Sequence, residues 1–152
     1  MNFLPVNISI RNKKILIIGG GKVAFHKATI LARFTGEITI LAPAWRKDFR
    51  EWEFTFIRKT YEKKDLQNYH LIYVCTDNRE LNQQIKQDAN EAGILASVCD
   101  APELCDFTSP AICRKENLTI SVATDGKEVK RAIAIRNRIQ ELIDNGVLNI
   151  NI

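Results

Sequence analysis

The sequence has few of the residues on which several classes of chemistry depend. It contains two histidines, His26 and His70, and four cysteines in 152 residues. Because the histidines are far apart in the sequence and there is no nucleophile-elbow motif around a serine, the sequence gives no support to a hydrolase triad. The cysteines form no C-x-x-C pair and match no standard zinc spacing, so we expect reduced thiols and no metal site.

Long apolar runs and leader features are also absent. No stretch approaches the roughly 18 apolar residues that a membrane helix needs. The first ten residues lack a basic region followed by an apolar one, so we expect no signal peptide and a cytoplasmic protein. Aromatic residues make up 8% of the chain and do not alternate with basic ones, which argues against nucleic-acid binding. The net charge of +4 suits a small polyanionic ligand.

In the first hundred residues, short apolar runs typical of strands alternate with segments whose apolar residues have helical spacing. We predict helices over residues 22–34 and 81–92, and strands over residues 15–18, 37–41, 54–57, 71–75 and 94–99. Continuous apolar runs such as residues 15–18 are typical of strands buried on both faces. The predicted fold class is therefore α/β, a Rossmann-type parallel sheet with helices on both faces.

After residue 100 the pattern changes. Residues 100–110 have an irregular pattern. Beyond them we predict a strand over 118–123, a helix over 129–143 and a short strand over 147–152. The core of residues 114–152 is too small to stand alone, so we expect it to pack against the first domain or a second copy. We divide the chain into a dinucleotide-binding domain, residues 1–113, and a small α+β segment, residues 114–152.

The strongest chemical signal is the glycine-rich turn after the first strand. Residues 19–24 have the sequence Gly-Gly-Gly-Lys-Val-Ala, a G-x-G-x-x-A pattern between a strand and a helix. This is the context of the dinucleotide fingerprint. Gly19 permits the tight turn, Gly21 lets a pyrophosphate approach, and Ala24 lets the helix lie close to the strand. The alternative is a glycine-rich turn that binds no ligand.

The fingerprint lacks its acidic residue. A carboxylate that holds the ribose is expected about 20 residues further on, but residues 40–43 are Ile-Leu-Ala-Pro. Arg46 and Lys47 follow, either as partners of a 2′-phosphate or as solvated side chains. The pattern alone leaves NAD and NADP open.

Two polar residues follow the fourth and fifth strands, at the sheet edge where ligands bind in this fold. Thr76 is a candidate contact for the nicotinamide half of a cofactor, or a cap of the next helix, and Asn82 fits either role. Asp100 is a candidate general base, or a loop carboxylate in water.

Four stretches together form a longer pattern. Residues 3–6 are Phe-Leu-Pro-Val, residues 17–24 hold the glycines, and Thr76-Asp77 precedes Leu81-Asn82. Residues 98–111 are Val-Cys-Asp-Ala-Pro-Glu-Leu-Cys-Asp-Phe-Thr-Ser-Pro-Ala. Over residues 3 to about 125 the chain resembles the N-terminal part of the siroheme synthases, the precorrin-2 dehydrogenases. In that family the stretch that corresponds to residues 97–111 is usually Asn-Val-Val-Asp-x-Pro-Glu-Leu-Cys-Asp-Phe-x-x-Pro-Ala, and the one that corresponds to residues 75–77 is usually Ala-Thr-Asp.

The resemblance implies a homodimeric enzyme that oxidises precorrin-2 to sirohydrochlorin with NAD⁺ in siroheme biosynthesis. It places the family's essential aspartate on Asp100 and gives residues 114–152 a role in dimerisation. The fingerprint and the resemblance together predict the cofactor-binding residues Gly19, Gly21, Lys22, Val23, Ala24, Pro43, Ala44 and Thr76. The basic face of the last helix is a solvated face or a surface for the substrate carboxylates, which makes Arg131, Arg136 and Arg138 the candidate substrate-binding residues.

The chain also departs from the family pattern. Residues 124–129 are Thr-Asp-Gly-Lys-Glu-Val where members usually have Thr-Gly-Gly-x-Ser-Pro. The sequence stops at Ile152, before the helical segment that completes the tetrapyrrole cleft in members, so we expect that domain to be absent. Two alternatives stay open: a second activity as sirohydrochlorin ferrochelatase, and a non-catalytic NAD-binding regulatory module.

Overall fold

The computed structural model describes residues 3–149 and divides the chain into two compact units. Residues 5–107 form the larger unit, and residues 108–149 with residues 3–4 belong to the smaller one. The division falls after Phe107, whereas the sequence pattern placed the boundary at residue 113.

The larger unit is a five-stranded parallel sheet with two helices and three short 3-10 turns. Its strand order is β3-β2-β1-β4-β5, and every neighbouring pair is parallel. The strands are β1 (Ile15–Ile18), β2 (Ile38–Leu41), β3 (Thr55–Ile57), β4 (Leu71–Val74) and β5 (Leu95–Val98). The helices are α1 (Lys22–Leu31) and α2 (Arg79–Glu91), and the 3-10 turns are Lys47–Glu51, Lys63–Leu66 and Pro102–Leu104.

The two helices cover opposite faces of the sheet. Alternate residues of a strand point to opposite faces, and in β1 both sets are apolar and buried. Ile15 and Ile17 belong to the core cluster that includes Ala24 of α1. Leu16 and Ile18 belong to the cluster that includes Ile85 of α2. A sheet covered on both faces explains the continuous apolar runs and confirms the predicted fold class.

The predicted elements of the larger unit are all present; β1 has the predicted ends, and the ends of the other elements differ by one to three residues. The predicted end of α1 at Phe34 is wrong, because the helix stops at Leu31 and the next residues form tighter turns. The backbone N–H of Arg33 donates to the carbonyl of Ile30 at 3.2 Å. At the start of α2, Asn78 accepts a hydrogen bond from the backbone N–H of Leu81 at 3.0 Å. It is therefore the helix cap.

The smaller unit is an antiparallel hairpin with one helix. The hairpin pairs β6 (Ala111–Lys115) with β7 (Leu118–Val122), and α3 spans Val129–Asp144. Cys113 of β6 is buried, and its thiol donates to Gln140 Oε1 of α3 at 2.9 Å. The sequence pattern missed β6. The strand predicted over 147–152 is wrong for residues 147–149, and residues 150–152 lie outside the described residues.

Within residues 3–149, no helix combines the length and the apolar character that crossing a membrane requires.

Candidate active site

The glycine-rich turn lies between the ends of β2 and β4. The Gly19 N–H donates to the carbonyl of Leu41 at 2.9 Å, and the backbone φ of Gly19 is +128°. A Cβ atom at this position would lie 2.4 Å from the carbonyl oxygen of Cys75. Because only glycine tolerates both the dihedral angle and the contact, the turn is fixed in a tight conformation against the end of β4.

The N-terminus of α1 has no capping group of its own. Gly21 is the N-cap residue, no side chain bonds to the first turn, and that turn contains no acidic residue. Gly21, Lys22 and Val23 are exposed, whereas Ala24 is buried against the sheet. The first N–H groups of a helix lack internal partners and carry a partial positive charge, so they are suited to bind a phosphate group.

The loop after β2 passes directly over the glycines. The Arg46 N–H donates to the carbonyl of Gly20 at 3.0 Å, and a Cβ at Gly20 would lie 2.0 Å from the Ala44 carbonyl oxygen. Pro43 and Ala44, both exposed, are thereby held beside the glycine turn. The Arg46 guanidinium pairs with Asp48 at 2.6 Å, so its charge is already offset.

Three polar residues meet at the carboxyl ends of β4 and β5. Asn82 of α2 is 1% exposed. Its Oδ1 accepts a hydrogen bond from the Thr76 hydroxyl at 2.5 Å. Its Nδ2 donates to the Thr76 carbonyl at 3.1 Å and to Asp100 Oδ1 at 3.3 Å. Asp100 itself is exposed. The structure therefore brings together Thr76 and Asp100, which the sequence singled out separately, through Asn82.

The chain after Asp100 folds back onto β5. Asp106 accepts a hydrogen bond from the Ala96 N–H at 2.9 Å, and its own N–H donates to the Ala96 carbonyl at 2.9 Å. The Asp106 carboxylate also forms an ion pair with Lys86 at 2.7 Å. The sulfur of Cys105 accepts from the Val98 N–H at 3.2 Å. These contacts fix the loop that presents Asp100.

Two cysteines lie beside this network, and sequence reasoning did not pair them. The Cys75 and Cys99 sulfurs are 2.7 Å apart. A hydrogen bond from the Cys75 thiol lowers the pKa of Cys99, and the same contact together with burial raises the pKa of Cys75. In the sequence, each cysteine comes directly after a strand, and these two strands are neighbours in the sheet. This shared position is the signal that could have paired them. Among the described residues, no group of three or more His, Cys, Asp or Glu side chains could hold a metal ion.

The three candidate substrate-binding arginines all lie on α3 in the smaller unit. Arg131 pairs with Glu128 at 2.9 Å and Arg138 with Glu141 at 2.7 Å, and both arginines are exposed. Arg136 is half-buried, and its guanidinium donates to the carbonyl of Ile112 at 3.2 Å. Arg131 also borders a groove of about 540 Å³ within this unit. Arg136 thus connects α3 to the hairpin, while Arg131 and Arg138 face solvent.

The strand order, the glycine turn and the uncapped helix define a Rossmann-type dinucleotide-binding protein. The model of an NAD(P)-binding family matches residues 6–111. The chain belongs to this NAD(P)-binding family, which confirms a nicotinamide dinucleotide as its class of cofactor.

Individual relatives agree with the resemblance predicted from the motifs. The chain is 35% identical over 150 residues to the siroheme synthase of Psychrobacter arcticus, covering 96% of this chain and 27% of that protein. It is 29% identical over 147 residues to the siroheme synthase of Nitrosococcus oceani, covering 94% and 31%. The resemblance to the siroheme synthases is confirmed. The chain spans less than a third of the length of these curated relatives.

A solved structure shares the fold. The chain superposes on SirC, a precorrin-2 dehydrogenase, with a TM-score of 0.78 over 91% of this chain and 70% of that one. The two sequences are 24% identical.

Proposed function

We propose that the protein is a precorrin-2 dehydrogenase that forms sirohydrochlorin with NAD⁺ as the hydride acceptor. The observation that carries the proposal is the position of Asp100. Asn82 holds this exposed carboxylate at the end of β5, one residue from Cys99, whose sulfur contacts Cys75 beside the glycine turn. The names of the relatives, siroheme synthase and precorrin-2 dehydrogenase, support the same reaction.

We assign cofactor binding to the residues that the sequence predicts. The N–H groups of Lys22, Val23 and Ala24 would bind the pyrophosphate, and Gly19 and Gly21 would leave room for it. Pro43 and Ala44 would border the adenosine half, and Thr76 the nicotinamide half. The bound nicotinamide supplies the hydride-accepting carbon.

The preference for NAD⁺ over NADP⁺ rests on the loop after β2. A 2′-phosphate needs a basic partner. Of the two basic residues that the sequence singled out, the Arg46 guanidinium is paired with Asp48, and Lys47 is exposed. The ratio of kcat/KM for the two cofactors tests this preference, with Asp48→Asn as the variant that frees Arg46. We expect the variant to gain activity with NADP⁺.

Asp100 would act as a base or as a group that orients the substrate. Oxidation of precorrin-2 removes a hydride to the cofactor and a proton to a base, and the Asp100 carboxylate would take that proton or orient a ring nitrogen. Asn82 and Thr76 keep the carboxylate in place. The substrate is a polycarboxylate. Its carboxylates would compete with Glu128 and Glu141 for the exposed guanidinium groups of Arg131 and Arg138, and Arg136, which is bonded to the hairpin, is the third proposed contact.

The assembly and its compartment complete the proposal. Residues 114–152 would join two chains into a homodimer, with the β6–β7 hairpin at the interface. The four cysteines are free thiols, as expected in a reducing compartment, and the cytoplasm is the compartment that we propose.

The decisive experiment follows NADH formation and the sirohydrochlorin spectrum after mixing the purified protein with precorrin-2 and NAD⁺. Asp100→Asn should lower kcat about 100-fold or more, while NAD⁺ affinity measured by calorimetry stays unchanged. Glu103→Gln, an exposed carboxylate on the same loop, is the matched control and should keep full activity. Wild-type turnover by the Asp100→Asn protein would contradict the role of Asp100.

The same assay separates the alternatives. A wild-type protein that binds NAD⁺ but gives no turnover would favour the non-catalytic regulatory module. Mixing the protein with sirohydrochlorin and Co²⁺, and following the absorption spectrum of the tetrapyrrole, tests the ferrochelatase activity.

A further inference from the structure

Two thiols meet where β4 and β5 end. Val74 is paired with Val98 in the register of the two strands, and the Cys99 N–H donates to the Val74 carbonyl at 2.9 Å. Cys75 and Cys99 therefore occupy equivalent positions on adjacent strands. Their sulfurs, 2.7 Å apart, point to the same side of the sheet.

The spacing of adjacent strands falls within the range that a disulfide requires. Neighbouring strands are about 4.8 Å apart, and disulfides join Cα atoms separated by about 4.4–6.8 Å. The backbone at both positions is fixed, because the Cys75 N–H donates to the Ile18 carbonyl at 2.8 Å and the Cys75 carbonyl contacts Gly19. Bond formation would therefore need movement of the side chains and little movement of the backbone.

The two thiols differ in reactivity. Thiolates attack oxidants, and thiols do not. The hydrogen bond from Cys75 and the Lys27 ammonium lower the pKa of Cys99, while burial and the Asp100 carboxylate raise it, and the net effect is a lowered pKa. The pKa of Cys75 is raised. Cys99 is thus the nucleophile, and Cys75 is the resolving thiol.

The proposed dehydrogenase reaction assigns no role to either sulfur. In the sequence each cysteine is next to a residue of the candidate site, Thr76 or Asp100. The pair therefore lies at the edge of that site.

We propose that Cys75 and Cys99 form a reversible intramolecular disulfide when the protein meets a peroxide. The Cys99 thiolate attacks one peroxide oxygen, which yields a sulfenic acid and releases hydroxide. The Cys75 sulfur then attacks the Cys99 sulfur and expels a second hydroxide. The two thiols lose two electrons and two protons, and hydrogen peroxide is reduced to two molecules of water. A small dithiol reverses the reaction by exchange.

The test uses the reduced wild-type protein, equimolar hydrogen peroxide and alkylation of the remaining thiols before peptide mass spectrometry. We expect two of the four cysteines to escape alkylation, a cross-linked peptide that joins residues 75 and 99, and recovery of all four thiols with dithiothreitol. Cys105→Ser and Cys113→Ser are the matched controls, and both should keep the cross-link. This readout needs no turnover, so it is independent of the proposed function.

Variants test the order of the two steps. Cys75→Ser should stop at a sulfenic acid on Cys99, trapped by dimedone. The Cys99→Ser protein should react with peroxide at no more than about one tenth of the wild-type rate, because the thiolate is removed. Lys27→Met should slow the reaction of the wild-type cysteine pair with peroxide several-fold, because it lowers the thiolate population of Cys99. Four alkylated cysteines in oxidised wild-type protein would overturn the proposal. So would a cross-link through Cys105 or Cys113, or one between two chains.

Discussion

At the scale of single residues, the candidate site depends on an asparagine that no charge pattern marks. Asn82 is buried, and its side chain forms hydrogen bonds with Thr76 and Asp100. It does not cap α2, since Asn78 does. We regard it as a positioning residue that acts through Asp100.

Replacing Asn82 by leucine keeps the number and branching of the side-chain heavy atoms and removes the donor and the acceptor. We expect kcat for precorrin-2 oxidation to fall about 10- to 100-fold, because a displaced catalytic group costs that much, while Kd for NAD⁺ stays unchanged. Steady-state kinetics and calorimetry measure the two quantities. Gln84→Leu, at an exposed position of the same helix, is the control. If Asn82→Leu lowered only the thermal stability and left kcat intact, the positioning role would be refuted.

Individual residues were predictable where the signal is local. The glycine turn could be identified because residues 19–24 are contiguous, and Asp100 because it lies in a family-specific stretch. The contact between Cys75 and Cys99 was not predictable, since it depends on which two strand ends the sheet places side by side. For the same reason the sequence left open whether Asn82 caps a helix or supports the site.

At the scale of elements, the turn between β1 and α1 uses its three glycines for different purposes. Gly19 is required by its dihedral angle and by the Cys75 carbonyl, and Gly20 by the Ala44 carbonyl. Gly21 has ordinary backbone geometry, and a Cβ atom there would meet nothing within 4 Å. Folding therefore does not explain the third glycine, whereas the proposed contact with a pyrophosphate would.

Gly21→Ala separates stability from cofactor binding. We expect the free energy of unfolding to change by less than about 1 kcal/mol, and the affinity for NAD⁺ to fall about tenfold or more, because the methyl group would occupy the path of the pyrophosphate. Urea unfolding and calorimetry measure the two effects. Gly36→Ala, also without close neighbours, is the control for binding.

Gly19→Ala should lose about 3 kcal/mol of stability, and unchanged stability there would contradict the tight-turn argument.

The loop that carries Asp100 is attached to β5 by Asp106. Removing its carboxylate leaves the Lys86 ammonium, whose side chain is 11% exposed, without its ionic partner, and the Ala96 N–H without an acceptor. We expect Asp106→Ala to lower the free energy of unfolding by about 2 kcal/mol, discounted for the partial exposure of Asp106. Urea unfolding measures this. Glu103→Ala in the same loop should change stability by less than about 0.5 kcal/mol, and equal losses in both variants would exclude the ion pair as the cause.

Elements with a clean periodicity were predictable, and mixed ones were not. Four strands consist of uninterrupted or nearly uninterrupted apolar residues, which only a doubly covered sheet explains. The strand β6 combines apolar Ala111 and Ile112 with charged Arg114 and Lys115, so neither a buried run nor an alternation marks it. Its pairing with β7 and the cover provided by α3 make it a strand.

At the scale of the whole molecule, the smaller unit leaves apolar side chains exposed. A two-stranded sheet is marginal by itself, and here it is supported by one helix. Several large apolar residues of this unit remain in contact with solvent: Val129, Ile133, Ile135, Val147 and Leu148, at 39–73% exposure. Surfaces of this kind favour association with a second chain.

We expect sedimentation equilibrium to give twice the 17.3 kDa mass of the chain. Glutamate at both Ile133 and Ile135 should shift the protein to the monomer, because two charges would then have to be buried in the interface. Lys130→Glu, exposed on the same helix, is the control and should leave the mass unchanged. A wild-type protein that sediments as a monomer at micromolar concentration would contradict the dimer.

The strand order of the larger unit also governs how the chain folds during its synthesis. The central strand β1 pairs with β2 on one side and with β4 on the other. On the ribosome, β1 and β2 emerge well before β4, so one side of β1 has no partner until β4 has left the exit tunnel. Unpaired apolar edges promote aggregation. A nascent chain that stalls between β3 and β4 therefore exposes one edge of β1, and one that stalls between β4 and β5 exposes an edge of β4.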